Sequence, residues 1–308
     1  MKFNQLYNKL FCVMQWGIGF SENNIEQIIR EKKDTLPGIN WLPLRNSSQS
    51  IADPFIFKDA DGNINLLYED FSMIKPRTYG KIRLSILDKK FNIINTKELL
   101  DTKSHCSYPF VFFENGITYV IPETALQNNV SVFEYDYVNK CLINKKVLIK
   151  NLPLLDSTIF KYKGMYWLFA TLGENGYDNS QLNIYFSDNF FGEYKPHRSN
   201  PVKNNQDGLR PAGNIIEVDG EIYRPSQNCS SYYGESITIN KITRLSEYEF
   251  SEESYFQIKP DRQSEYNAGI HTINFIDGLI VVDGIKMVFK PLVKWKLFFI
   301  KKLKINIQ

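Results

Sequence analysis

Between residues 50 and 290 the apolar positions fall in short runs, and the runs come in pairs. Five segments share one pattern of an apolar run, a turn containing glycine, and a second apolar run. They are ADPFIFKDADGNINLLYED (52–70), SYPFVFFENGITYVIPET (107–124), LDSTIFKYKGMYWLFATL (155–172), LRPAGNIIEVDGEIYRPSQN (209–228) and NAGIHTINFIDGLIVVDGI (267–285). Alternation and an abundance of β-branched and aromatic side chains predict strands. The DG, NG and KG pairs suit tight hairpin turns. Equivalent positions, marked by Pro54, Pro109, Ser157, Pro211 and His271, lie 55, 48, 54 and 60 residues apart. Further short strands, such as KIRLSILD, VSVFEYDY and QLNIYFSD, lie between the pairs. A period of about 50 residues with about four strands per unit predicts an all-β fold, a five-bladed β-propeller. Helical periodicity is confined to 22–33, with a weak second stretch at 245–250. The expected division is an N-terminal extension (1–40, with a helix), a propeller (41–289) and a basic amphipathic tail (290–308).

In a propeller the first strand of each unit lines the central channel and its first residue reaches one mouth. The antiparallel second strand returns to that mouth. The residues predicted to meet there are Asp53, Tyr108, Asp156, Arg210 and His271 from the strand heads. Glu69, Glu123, Thr171 and Gln227, each seven residues past a turn glycine, arrive from the second strands. All carry polar groups while the strand interiors read as apolar. Glu235, at the start of a strand in YYGESI, is a further candidate carboxylate. Several acids around a polar well, with Arg, Tyr and His beside them, suit a hydroxyl-rich ligand. Carboxylates accept bonds from sugar hydroxyls, and paired acids break glycosidic bonds. Trp167, Tyr166, Tyr232 and Tyr233 are available as stacking faces.

These residues carry a family resemblance. The Asp-headed first unit and LDSTIF resemble the five-bladed superfamily of arabinanases, invertases and levansucrases. More specifically, the series ADPFIF, SYPFVFFENG…YVIPE, TIF…YWLFAT, RPAGN, YRPSQNCSSYYGESI and GIHTINFIDGL is similar to the propeller domain found N-terminally in plant glucosamine inositolphosphorylceramide transferases. Related bacterial proteins of surface-polysaccharide loci resemble it too. The resemblance covers roughly residues 40–290. It implies a carbohydrate-active site and supports Asp53, Glu123, Asp156, Arg210, Arg224 and His271 as site residues. Two positions depart from the family pattern. Ser157 stands where a proline is expected, and Asn228 where an acid is expected, which removes that position as an acid. The expected roles are base or nucleophile for Asp53, acid for Glu123 and an orienting role for Asp156. Arg210 and Arg224 are expected to clamp a phosphate or an acidic sugar. Tyr108, Gln227, His271, Glu69 and Glu235 complete the expected substrate contacts.

Composition changes this picture little. The net charge of +3 gives no support to nucleic acid as a partner. Cys12, Cys106, Cys141 and Cys229 are scattered without metal-ligand spacing and read as reduced thiols. No motif for a metal or another cofactor is found; the DAD at 59–61 sits in a hairpin turn at the wrong end of its unit. The N-terminus lacks a clear signal-peptide pattern, which favours the cytoplasm. The C-terminal KPLVKWKLFFIKKLKINIQ mixes lysines with Trp295, Phe298, Phe299 and Ile300, and predicts peripheral contact with an anionic membrane face. The expected function is glycosyl transfer in surface-glycan or glycolipid assembly. A glycoside hydrolase and a non-catalytic glycan-binding propeller are the alternatives.

Overall fold

A computed structural model describes residues 3–74, 79–173, 181–204 and 207–303, with the backbone alone described for 3–6, 207 and 300–303. The tail lysines Lys301, Lys302 and Lys304 therefore lie outside the described side chains. The chain starts with helix α1 (Phe3–Phe11), strand β1 (Cys12–Ser21), helix α2 (Ile25–Glu31) and strand β2 (Asn40–Trp41). Four antiparallel units follow. The first holds β3 (Gln49–Lys58), β4 (Ile64–Ser72), β5 (Lys81–Leu87) and β6 (Ile93–Leu100). The second holds β7 (Ser107–Glu114), β8 (Ile117–Glu123), β9 (Asn129–Asp136) and β10 (Cys141–Lys150). The third holds β11 (Leu154–Tyr162), β12 (Met165–Leu172), β13 (Gln181–Ser187) and β14 (Lys195–Pro196). The fourth holds β15 (Asp207–Pro211), β16 (Ile216–Val218), β17 (Glu221–Asn228), β18 (Ser236–Leu245) and β19 (Phe250–Ile258). The last elements are β20 (Ile273–Ile276), β21 (Leu279–Phe289) and helix α3 (Pro291–Leu303).

These sheets are the blades of a five-bladed propeller. The fifth blade differs in origin from the others. Its order is β2-β1-β21-β20, so its outer two strands come from the N-terminus. The segment assigned to an N-terminal extension thus supplies a full blade strand, pairing with β21 from Cys12↔Phe289 to Ser21↔Ile280. Closing the ring with strands from both chain ends removes the free edge that β21 would otherwise present. The helix expected near 22–33 is α2, started by the Asn24 side chain, which accepts from the Glu26 N–H. Its Ile25, Ile28 and Ile29 pack against Ile216, Val218 and Ile237 of the fourth blade and Val282 of the fifth. The 245–250 stretch is the connection between β18 and β19.

Ile18 and Phe20 are fully buried between the fifth and first blades. Phe20→Ala is therefore expected to cost about 3–5 kcal/mol, read as a lower denaturant midpoint. Deleting residues 1–21 is expected to abolish the cooperative melt followed by near-UV circular dichroism.

Candidate functional site

Each of the first three blades breaks its ladder at the same place. The register slips by one residue between Ala52 and Phe55, Ser107 and Phe110, and Leu155 and Thr158. An extra residue on one strand bends it and re-aims side chains. At these bulges Asp53, Tyr108 and Asp156 take left-handed backbone angles, with φ of 52°, 41° and 52°. For residues other than glycine this strain costs of order 1–3 kcal/mol each and persists only where surroundings enforce it. The conformation turns three strand heads into the channel mouth and frees their backbone N–H groups from the ladder.

Two of those N–H groups are taken up across blades. The Asp53 N–H donates to Asp283 Oδ2 at 3.0 Å, and the Tyr108 N–H to Asp53 Oδ2 at 3.2 Å. Thr272 Oγ1 donates to Asp53 Oδ1 at 3.0 Å. The Tyr108 hydroxyl pairs with Thr158 Oγ1 at 2.8 Å and accepts the Gly213 N–H at 2.7 Å. Arg210 grips Asp156 with two bonds, of 2.6 and 2.9 Å, and Gln227 Nε2 adds a third at 3.1 Å. Arg210 Nη2 is also 3.6 Å from Glu123 Oε2, on a buried carboxyl.

Above this network lies a well of about 320 Å³ bordered by Asp53, Glu69, Arg210, His271, Trp16, Tyr233, His105, Phe71, Ala52 and Ser107. Its size is in the range of small-ligand pockets. The Trp16 and His271 rings stack at 4.1 Å, and Tyr233 meets His271 edge-on at 5.3 Å. The Arg210 guanidinium lies 5.6 Å from the Tyr233 ring centre. A Cβ at Gly80 would collide with the Glu69 side chain, so a larger residue there would displace that carboxylate. His105 Nδ1 accepts the Gly80 N–H at 3.2 Å and lies 3.7 Å from Glu69 Oε1.

The electrostatics divide the acids. Burial, opposed by the His271 charge, brings Asp53 up to about 6. Burial, with Asp53 and Glu123 nearby, pushes Glu69 well above the usual carboxylate range. Burial and the adjacent Asp156 do the same to Glu123. Burial alone would lower His271, but Asp283, bonded to its Nδ1 at 2.6 Å, outweighs that and raises it. Burial, helped by the Arg210 charge, lowers His105 to about 4 and keeps it neutral. The well therefore holds Asp53, at about 6, beside Glu69, which is held well above the usual carboxylate range. Titratable groups of one kind set in unlike environments suit paired acid and base work.

Asp53, His271 and Asp283 each bring one ligand-type atom within 4.8 Å of the others. The Asp283 oxygens are already engaged. Oδ1 accepts the His271 and Thr272 N–H groups, and Oδ2 the Asp53 N–H and His271 Nδ1. Both Asp283 oxygens are thus occupied, and His271 lies between the two acids as an ion-paired group rather than in an open set of metal ligands.

Of the residues singled out from sequence, the fold gathers Asp53, Glu69, Tyr108, Glu123, Asp156, Arg210, Gln227 and His271. Tyr108, Glu123, Asp156 and Gln227 lie beneath the well and do not line it. Two others fall elsewhere. Arg224 is buried inside the fourth blade, bonded to Glu252 at 2.6 and 2.8 Å and to the Gly208 carbonyl. It is three residues from Gln227, and an odd spacing on a strand puts the two on opposite faces. A two-arginine clamp is therefore not formed. Glu235 accepts the Ser231 N–H at 3.0 Å and caps its own loop. Sequence reasoning missed Trp16, His105 and Asp283. Asp283 did leave a signal, since a lone carboxylate inside LIVVDGIKMV needs a buried partner.

A family model described as "Glucosamine inositolphosphorylceramide transferase 1, N-terminal" matches residues 43–273. The chain belongs to this family. Among the plant glucosamine inositolphosphorylceramide transferases, the Arabidopsis thaliana protein is 35% identical over 242 residues, 75% of this chain and 31% of its own length. The protein from Oryza sativa subsp. japonica is 32% identical over 211 residues, 67% of this chain and 28% of its own. The chain thus spans about a third of these transferases. Among solved structures, a family 117 glycoside hydrolase from Zobellia galactanivorans aligns with a TM-score of 0.54 and 12% identity, covering 92% of each chain. An exo-β-1,3-galactanase from Clostridium thermocellum gives 0.54 and 15%, covering 79% of this chain and 60% of its own. At these identities the likeness is one of fold, and places this family on the five-bladed scaffold.

Proposed function

We propose that this chain is a carbohydrate-active enzyme that works at a glycosidic centre, transferring a glycosyl group in cell-surface polysaccharide or glycolipid assembly. The observation that supports it most is the placing of two unlike carboxyls on one well: Asp53 and Glu69 both border it, Asp53 at about 6 and Glu69 well above the usual carboxylate range. The names of the plant relatives point the same way. In this reading Asp53 takes the proton of an acceptor hydroxyl as its oxygen attacks the anomeric carbon. The bond to the leaving group breaks, and the departing oxygen takes a proton from Glu69. We give Glu69 this role over Glu123 because Glu69 borders the well and Glu123 lies behind Arg210. Asp156, held by three bonds, fixes Arg210 at the rim, while Trp16 and Tyr233 offer faces to the sugar ring. Use of an activated donor would place the protein in the cytoplasm.

Offering the purified protein nucleotide sugars with glycan or lipid-linked acceptors tests this reading. Transfer of sugar to an acceptor supports it; release of sugar by water alone points to a hydrolase, and binding without turnover to a recognition module. The pH profile follows from the charges. Asp53 acts only when ionised, so kcat/KM is expected to fall as pH drops through about 6. The raised Glu69 must keep its proton, so activity is lost again at higher pH, and Glu69→Gln is expected to remove that second limb.

A further inference from the structure

Helices α1 and α3 lie side by side where the fifth blade ends. Trp295 Nε1 donates to the Leu10 carbonyl at 3.0 Å, and the Lys290 N–H to the Phe11 carbonyl at 3.0 Å. Tyr7 stacks on Phe289 at 5.9 Å. The pair leaves a large apolar surface in water: Leu292 is 85% exposed, Phe298 59%, Phe299 53% and Trp295 52%. Leu292, Trp295 and Phe299 recur at spacings of three and four, which makes one stripe of a helix. Residues 289–308 contain six lysines and no acid, and residues 1–11 add Lys2 and Lys9, again without an acid. Segments whose sequence mixes aromatic and aliphatic residues with lysines and no acid are complementary to an anionic lipid surface. Among the described residues no helix is long and apolar enough to cross a membrane.

The position of the pair relative to the well follows from the topology. Strand β20 runs from the His271 side to the turn at the far face, so β21 returns to the mouth of the well. Along it Trp16 pairs with Ile285, Met14 with Met287 and Cys12 with Phe289. From Trp16, at the rim, to the start of the helix pair is four residues, about 13 Å of strand. Met14, Met287 and Phe71 cluster with Trp16 along that path, so apolar surface continues from the rim to the helices.

We propose that the paired terminal helices seat this protein on an anionic lipid bilayer with the mouth of the well turned toward it. The orientation deepens the transfer reading, since it would present the well to a membrane-borne acceptor. The docking itself is read without turnover, so either idea can fail alone.

The test is flotation with phosphatidylcholine vesicles, with and without phosphatidylglycerol. Wild type is expected to float at least roughly tenfold more with the anionic vesicles, less so at high salt. Leu292→Glu/Phe299→Glu, at exposed positions, and Lys294→Gln/Lys296→Gln are each expected to weaken partition roughly tenfold or more. Unchanged melts confirm that both variants fold. For orientation, a polarity-sensitive fluorophore is placed on Ser231→Cys, in the loop at the rim, or on Asp61→Cys, in the turn at the opposite face, with Cys141 and Cys229 replaced by serine. Only the first is expected to brighten with vesicles. Equal or absent flotation with both lipids would overturn the docking. So would a dimer in sedimentation, dissolved by Leu292→Glu, in a protein that does not float. Brightening at Asp61→Cys instead would overturn the orientation.

Discussion

Asp53→Asn is expected to lower turnover by about 10²–10⁴-fold while leaving the protein folded and able to hold its sugar. The change is close to isosteric. The amide oxygen still accepts the Tyr108 N–H, and the Thr272 hydroxyl can rotate to suit the new group. What is lost is the charge that takes a proton. Because Asp53 is raised from 3.8 to about 6 in the fold, the folded state prefers its protonated form. That contribution to stability is present below the unfolded value and is lost as pH rises through the folded one. Asparagine has no such loss, so the variant should gain on wild type between pH 4 and 6, and melt no lower at pH 7. Kinetics with thermal melts across this range check both halves. A variant that turns over normally would remove Asp53 from the chemistry.

Asp283→Ala is expected to be the more damaging change to the fold, at about 3–5 kcal/mol. Asp283 is fully buried and accepts from three backbone N–H groups and from His271. Alanine strands all four donors at the seam where the last blade meets the first. It also frees the Asp53 backbone, whose left-handed angle is held in place by this bond. Asp283→Asn separates structure from charge. Its one amide oxygen can still accept two of the four donors, so it should fold with a smaller loss than alanine. It withdraws the carboxylate that raises His271, and His271 lowers Asp53 more than Asp283 raises it. The acid limb of the rate profile should then move to higher pH. A limb that stays put would show that Asp283 acts on the fold alone.

What could be read from the chain beforehand follows from how local each signal is. A blade is a pair of adjacent hairpins, so five recurring hairpins gave the ring, and their common phase gave the heads Asp53, Asp156 and Arg210. The closing strand was illegible for the opposite reason. Cys12–Ser21 pairs with a strand more than 250 residues away, and no turn joins them. Trp16 went unnoticed with it. The bulges were invisible because their residues are aspartate and tyrosine rather than the glycine that usually marks a left-handed angle. Arg224 was misplaced by following a motif without following the strand's alternation, which sets it on Glu252.

Side-by-side product analysis of wild type and Asp53→Asn tests the central claim most directly. Each protein is incubated with a nucleotide-sugar panel and acceptors, and the products are weighed by mass spectrometry while sugar binding is measured by calorimetry. We predict acceptor extended by one sugar in wild type, none in the variant, and similar binding by both. Equal binding by the two proteins with no product from either would contradict a catalytic well.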